Sequence, residues 1–419
     1  MGLSDLAGRP VVLHGLGVEG RAAAGALRAA GADLLVADDR AADAERPEAA
    51  IPRLTADTLY LRSPGVPPTD ALHRAALSAG ATVTTPTGWW LATLAPPGTI
   101  TVTGTKGKST TTALLAAVLA AGGVTSAPYG NIGAPPLGMA LPAEAAPVVE
   151  LSSYMSADLI APPDGRRWFH LLTSLYKEHT DWHGGERPYR EAKLRPFRFA
   201  PPCRGAAPRA VMEAEGLAAE PLEAIPLDAG RLGVGDGLDL PALNDAFASP
   251  GTALALRAAA VAARPLLGDR LLPALREAAS TWTGLPSRQA VVPSTDGRRW
   301  IDDALATIPE ATMQALDRFG GAPVRLVLGG KDRGQDYADL AARLAALPDA
   351  RAYGFGAVAS KLRAAGVPVF PSLEAAVAAA ADDCPPGGVV LFSPAAPSGA
   401  PHRDYEERAA LFASLATSA

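Results

Sequence analysis

The sequence predicts an α/β protein made of three domains, each built round a parallel sheet. Two glycine-rich turns, each set between a short apolar strand and a helix, carry the first two domains. A run of short apolar strands alternating with helical segments carries the third. Length agrees, because 419 residues at about 150 per domain accommodate two or three domains. Hydrophobic residues make up 48% of the chain and charged residues 19%, a globular balance that excludes a mostly disordered chain.

Taken in order, residues 10–15 (PVVLHG) read as a strand, 15–20 (GLGVEG) as a turn, 21–31 (RAAAGALRAAG) as a helix and 32–40 (ADLLVADDR) as a second strand. That is one unit of a Rossmann-like parallel sheet, and the pattern runs on to SPGVPP at 63–68. LAPPGT at 94–99 is linker-like, so the first domain is assigned to residues 1–93. TITVTG at 99–104 opens a new strand and KSTTTALLAAVLAAGG at 108–123 its helix, which begins a central P-loop ATPase-like domain over 94–284. Residues 200–250, rich in Pro, Ala and Gly, show only weak periodicity. TGLPSRQAVV at 283–292 reads as a junction. Beyond it, VRLVLGG (324–330), ARAYGFG (350–356), VPVF (367–370) and GGVVLFSP (387–394) read as the strands of a C-terminal Rossmann-like domain, 285–419. No internal repeat is visible.

The formal net charge of −5 argues against a nucleic-acid partner. Two cysteines, Cys203 and Cys384, make neither a disulfide framework nor a zinc cluster and suit a reducing compartment. The N-terminus lacks a basic stretch followed by an apolar one, and no apolar run approaches the ~20 residues that span a bilayer. A cytoplasmic protein without a membrane partner is expected, as a monomer.

Gly15-Leu16-Gly17-Val18-Glu19-Gly20 fits G-x-G-x-x-G between a strand and a helix, with Asp38 and Asp39 at the end of the next strand. Glycines there let backbone approach a diphosphate at a helix N-terminus, while an acid takes a ribose hydroxyl. The pattern leaves open which diphosphate is bound. Taken alone it suggests NAD. The second loop, Gly104, Thr105, Lys106, Gly107, Lys108, Ser109 and Thr110, has the backbone donors, lysine and hydroxyl that hold ATP phosphates and Mg²⁺. A strict Walker pattern would place glycine at Val102. A chain with two nucleotide loops uses one nucleotide as fuel and another as substrate or handle.

Glu150 ends the apolar run PVVE, and strand-like LLTSLY (171–176) leads to Glu178-His179-Thr180-Asp181-Trp182-His183-Gly184, with Lys193 following in REAKLRPF. Singly, each reads more readily as a solvated strand end, a turn histidine or an exposed helix lysine than as a functional group, and only their company changes that. Beside a phosphate loop, carboxylate and imidazole fit Mg²⁺ ligation for phosphoryl transfer.

TVTGTKGKST, GNIG (130–133), VVELSSYMSADL, EHTDWHG, REAKLRPF, GLPSRQAVV, LGGKDRGQDY and LFSPAAPSGAPHRDYEER stand in the order found in the Mur ligases. The chain resembles that family from Gly15 to Arg408. Its GxGxxG start and SPGVPP resemble the MurD branch, which joins glutamate to UDP-N-acetylmuramoyl-L-alanine, more than the MurE, MurF or folylpolyglutamate synthase branches. The resemblance implies UDP-substrate contacts from Gly17, Val18, Glu19, Asp38, Asp39, Arg40, Ser63, Gly65 and Asn131. ATP falls to the 104–110 loop with Arg288 and Asp303. Catalytic roles fall to Lys108, Glu150, His179 and Lys193, and metal ligation to Ser109, Glu150, His179 and a carbamylated Lys193. Thr307, Arg333, Ser398 and Tyr405 correspond to the amino-acid pocket.

The family's Asn-Asp-Ser-Lys-Ala-Thr segment reads Asp302-Asp303-Ala304-Leu305-Ala306-Thr307 here, so one pocket lysine is replaced by Leu305, and another by Arg333. A His-Asn pair usual before the central domain's Ala-rich helix is not visible in residues 247–263. The resemblance favours D-glutamate as the incoming amino acid, with L-glutamate, added by a related branch, as the alternative. An NAD(P)-dependent oxidoreductase and a non-catalytic ATP/UDP-sugar sensor are the other readings of the two loops.

Overall fold

Parallel strands running to a common carboxyl edge organise this protein. The computed structural model describes residues 2–165, 167–222, 232–233, 239–240, 250–319 and 321–418. The chain divides into two compact units, Met1–Trp282 and Thr283–Ala419.

The first unit holds two parallel sheets. The N-terminal sheet uses β1 (Pro10–His14), β2 (Asp33–Ala37), β3 (Leu59–Arg62) and β4 (Thr82–Thr84) in the order β2-β1-β3-β4. After β1 the chain turns through Gly15, φ +92°, into the helix Val18–Ala29. A Cβ on Gly20 would sit 2.0 Å from the Gly15 carbonyl oxygen, so only glycine lets this helix lie so close to the strand end.

The second sheet uses β5 (Ile100–Thr103), β6 (Pro128–Gly130), β7 (Val148–Glu150), β8 (Phe169–Leu172), β9 (Gly205–Pro208) and β10 (Glu220–Leu222), ordered β10-β9-β8-β5-β7-β6 and all parallel. β5 lies between β7 and β8, so the strand order reverses beside it, and a crevice opens at its carboxyl end. The helix Lys108–Ala121 starts there and buries Leu114, Leu115, Val118 and Leu119. The helices Pro250–Leu267 and Leu271–Thr281 pack against it. The strand expected over 171–176 stops at Leu172. Thr173 still bonds the Thr103 carbonyl through its N–H at 2.9 Å, but the next carbonyl, that of Ser174, turns to accept from the Thr105 N–H at 3.0 Å instead of continuing the ladder. Of the weakly periodic 200–250 stretch, β9, the helix Arg209–Glu215, β10 and the antiparallel pair β11 (Leu232–Gly233) and β12 (Asp239–Leu240) are described. Residues 223–231, 234–238 and 241–249 lie outside the described residues, including the start of the segment expected to lack the His-Asn pair.

One apolar cluster runs through both sheets of this unit, joining Leu13, Leu16, Trp89 and Trp90 to Tyr129, Val149 and Met155. Arg62, at the end of β3, crosses the same boundary. Its fully buried guanidinium pairs with Asp158, donates to the Tyr154 carbonyl at 2.8 Å and to the Val66 carbonyl at 3.0 Å, and lies 5.1 Å from the Trp182 ring centre.

The second unit is a mixed sheet of β13 (Ala290–Val292), β14 (Arg299–Asp302), β15 (Val324–Gly330), β16 (Ala350–Gly356) and β17 (Val389–Phe392), ordered β13-β14-β17-β15-β16, with β13 antiparallel. β13 lies inside the segment read as a junction, and β14 is an addition to the expected strands. VPVF is not a strand of this sheet. It makes a single bridge, Gly354 to Val369, because Pro368 has no N–H to extend a ladder. Both cysteines are buried and unbridged. Among the described residues no helix is long and apolar enough to cross a membrane.

Removing Arg62 strands Asp158 and several carbonyls at the boundary between the two sheets. Arg62→Met is expected to lower stability by about 3 kcal/mol, the scale for breaking one side of a buried ion pair. Urea unfolding measures it, and a loss below about 1 kcal/mol would contradict the assigned role.

Candidate active site

In the first unit the carboxyl ends of β1, β2 and β3 enclose a cleft of about 630 Å³. Gly17, Val18, Glu19, Asp38, Asp39, Arg40, Ser63, Gly65 and Asn131, all expected from the sequence, line it together. Their carboxylates are not equally available. Asp38 accepts from the backbone N–H of Leu16 at 2.7 Å, of Arg40 at 2.8 Å and of Ala41 at 2.9 Å. Those bonds, led by that from Leu16, hold its carboxyl below the usual range. It therefore fastens the glycine loop to β2, which occupies the acid that an NAD site would offer to a ribose. Glu19 accepts from Thr87 N–H at 2.7 Å, and burial pushes its carboxyl up. Asp39 and Arg40 are exposed at the rim. The Ser63 hydroxyl donates to the Gly15 carbonyl at 2.7 Å and fixes the loop from the β3 side.

His14, Val66, Pro67, Asp70, Gly133, Pro135 and Met155 also line this cleft and were not anticipated. His14 alone carried a signal, its place directly before the glycine turn.

The second loop follows β5. Gly104, at φ +151°, would bring a Cβ within 2.0 Å of the Thr173 hydroxyl, and Gly107 sits at φ +84°. Only glycine allows this path, which brings backbone N–H groups to the start of the helix bearing Lys108, Ser109 and Thr110. Lys108 Nζ donates to the Thr105 carbonyl at 3.1 Å, and Lys106 Nζ pairs with Glu178 at 3.0 Å. Thr105 is held by the Tyr189 hydroxyl at 2.7 Å.

Glu150 ends β7 with 1% exposure. One carboxylate oxygen accepts from Asn131 Nδ2 at 2.7 Å, and the other, Oε2, is buried without a partner. An orphaned buried carboxylate oxygen beside a phosphate loop fits a divalent cation. Among the described residues no three His, Cys, Asp or Glu side chains gather into a metal cage. A Mg²⁺ ion here would complete its shell with water and phosphate oxygens, its ordinary habit.

His179 sits in the left-handed region at φ 52°, its Nδ1 2.9 Å from the Tyr154 hydroxyl and its Nε2 3.7 Å from Glu178. Burial lowers its pKa despite the Glu178 charge. Lys193, 2% exposed, donates to the Gly104 carbonyl at 2.7 Å and lies 5.1 Å from the Tyr189 ring centre. Burial, then the Lys108 charge, hold its ammonium well below the usual range.

In the second unit Thr307, Arg333 and Ser398 lie on the loops after β14, β15 and β17, and Tyr405 begins the helix Tyr405–Ser418. These three strands are neighbours, so their carboxyl ends bring the loops to one edge. Gly330 and Gly399 allow close approach, since a Cβ would lie 2.3 Å from the Pro397 carbonyl and 2.8 Å from Lys331 Cβ respectively. Buried Arg408 ties the edge together, donating to the Gly329 carbonyl at 3.1 Å and to those of Ala304 and Ala396 at 3.3 Å. Arg333 is exposed, the Ser398 hydroxyl is buried without a partner, and Tyr405 donates to Glu406 at 3.1 Å. Asp303 is 6% exposed and accepts from the Ser393 hydroxyl at 2.7 Å. Burial pushes its carboxyl up to about 7, and nearby Arg288 partly offsets this.

No family model matches the chain. A UDP-N-acetylmuramoyl-L-alanine–L-glutamate ligase of Micromonospora is 37% identical over 455 aligned residues, covering 99% of this chain and 97% of that protein. One of the same name from Salinispora tropica is 36% identical, covering 99% and 98%. The MurF ligase of Thermotoga maritima, solved in complex with ADP, shares the fold with a TM-score of 0.57 at 16% identity, covering 98% of this chain and 95% of that one. With its three α/β sheets and these full-length relatives, the chain is an ATP-dependent amide ligase. The chain belongs to the Mur ligase family.

Asp303 supplies a stability test. Its folded pKa of about 7 lies above its ordinary 3.8, so the folded state keeps a proton that the unfolded chain has lost. The stabilisation is complete below about pH 4 and disappears as pH rises through about 7. Thermal unfolding across that window should show Asp303→Asn declining less steeply than the wild type, with some slope left from Asp302, which burial also raises. Equal slopes would refute the assignment.

Proposed function

We propose that this protein joins L-glutamate to UDP-N-acetylmuramoyl-L-alanine, driven by ATP, in the synthesis of a peptidoglycan precursor. One observation carries the choice of amino acid: the full-length relatives are named for L-glutamate. The D-glutamate favoured by the sequence resemblance gives way to its alternative, and Leu305 and Arg333 in place of lysines accord with a changed pocket. The first cleft is read as the UDP-substrate site, the 104–110 loop as the ATP site, and the carboxyl edge of the second unit as the glutamate site. The reaction is read as cytoplasmic, and the protein as a monomer.

A carboxylate is a poor electrophile at neutral pH, so it must be activated as an acyl phosphate before an amine attacks and phosphate leaves. Lys108 and the N–H groups behind Gly107 hold the transferring phosphate. Glu150, Ser109, His179 and Lys193 as its carbamate would hold Mg²⁺, which supplies charge neutralisation at the phosphates when bound. The lowered pKa of buried Lys193 supports that modification, and the unpaired Glu150 oxygen supports ligation. Asn131 links Glu150 to the first cleft, which orients the substrate carboxylate towards the phosphate loop. Arg333 pairs with a glutamate carboxylate, Thr307 and Ser398 donate hydroxyls to the other, and Tyr405 walls the pocket.

Phosphate release in the presence of ATP and UDP-N-acetylmuramoyl-L-alanine tests the reading. L-Glutamate is expected to give kcat/KM at least about tenfold above D-glutamate, a difference of roughly 1.4 kcal/mol. Faster release with D-glutamate would restore the other isomer, and none with either would reject the activity. Arg333→Ala should raise KM for glutamate about tenfold or more, since a charge-assisted pair contributes roughly 1.5–3 kcal/mol. KM for ATP should stay within about twofold. Unchanged glutamate kinetics would show that the pocket lies elsewhere.

A further inference from the structure

His14 ends β1 directly before the glycine loop and lines the first cleft with 3% of its surface exposed. Its Nδ1 lies 2.8 Å from the Tyr60 hydroxyl and 3.8 Å from Asp70 Oδ1. Tyr60 meets the His14 ring edge-on on one side and His73 on the other, with ring centres 6.1 and 5.9 Å apart. Nδ1 is thus engaged, while Nε2 makes no hydrogen bond among the described residues. When the Tyr60 hydroxyl donates to Nδ1, the ring's own proton sits on Nε2, which makes that atom a donor.

The charges round the cleft make such a donor useful. Glu19, Asp38, Asp39 and Asp70 line it, against Arg40 as the one arginine or lysine among the lining residues. Asp38 and Glu19 are held by backbone N–H groups, and Asp70 accepts from Leu72 and His73 N–H at the start of the helix Ala71–Ser78. A nucleoside diphosphate entering this acidic cleft needs every donor that the walls supply.

We propose that His14 is a further contact of the nucleotide diphosphate, with Nε2 donating to a phosphate oxygen and the ring gaining a proton as the anion enters. The proposal rests on the reading of the first cleft as the UDP-substrate site. The incoming proton comes from solvent and settles on Nδ1. The Tyr60 hydroxyl then reverses to accept, and Asp70 faces the new charge. In the free protein, burial lowers the His14 pKa. Asp70, at the start of the Ala71–Ser78 helix, and Asp39 and Asp38, beyond β2, act against it, while Arg62 on β3 adds to it. Tyr60 on β3 and His73 on the helix are the remaining titratable neighbours. A phosphate beside Nε2 favours the charged ring, so binding and proton uptake are linked.

Titration calorimetry of the full chain with UDP-N-acetylmuramoyl-L-alanine, in buffers of different ionisation heat near neutral pH, reads both effects. The wild type is expected to bind with net proton uptake. His14→Leu should weaken binding about tenfold or more, the scale of one lost charge-assisted bond, and abolish the uptake while leaving ATP affinity unchanged. His14→Gln keeps a donor but cannot ionise, so it should bind more tightly than the leucine variant, again without uptake. This second variant decides the matter if His14→Leu also loses ATP binding. Wild-type affinity or wild-type uptake in a variant that still binds ATP overturns the proposal. If the wild type itself fails to bind the UDP-substrate, the reading of the cleft falls first, a result distinct from a variant that matches the wild type.

Discussion

A parallel sheet opens a crevice at its carboxyl edge where the strand order reverses, and this constraint governs where the chemistry of this protein can sit. In the N-terminal sheet the reversal falls beside β1, and in the second sheet beside β5. Each of those strands runs into a glycine turn and then a helix, so backbone N–H groups meet the crevice at two places. The glycines are spatial necessities there. Gly20 presses a helix onto the Gly15 carbonyl, and Gly104 passes within reach of the Thr173 hydroxyl. A side chain at either position would push away the donors that an anion needs.

Charge is managed by occupation as much as by composition. The first cleft carries four carboxylates, yet three of them are spent on backbone N–H groups that shape the cleft or cap its helices. Their cost near a diphosphate is thereby reduced, because a carboxylate already bonded to donors has less of its charge uncompensated. Around the second loop the arrangement is reversed. Glu150 keeps one oxygen unpartnered, while burial lowers the pKa of Lys193.

The second unit shows the same economy of scaffold. Neighbouring strands deliver separate loops to one edge, and a buried arginine draws three of their carbonyls together. Arg408 therefore sets the spacing of loops whose exposed residues differ from the usual family pattern. Leu305 and Arg333 lie on loops after β14 and β15, outside the strands that present them.

The sequence by itself determined the α/β class, both glycine loops and the family, since these depend on local patterns that spacing alone encodes. It placed nine residues that line the first cleft, because each stands at a strand end or in a turn where a parallel sheet must put it. It read 171–176 and 367–370 as strands, because local apolarity does not reveal a serine carbonyl drawn to a distant loop or a proline interrupting a ladder. It did not separate Asp38, bound to the Leu16 N–H, from Asp39 at the rim, nor show that Lys193 is buried. Those outcomes, with the meeting of His14, Tyr60 and Asp70, were decided only by the tertiary structure. Each depends on which groups from distant segments share one small volume, and that proximity sets their hydrogen bonds and their charge.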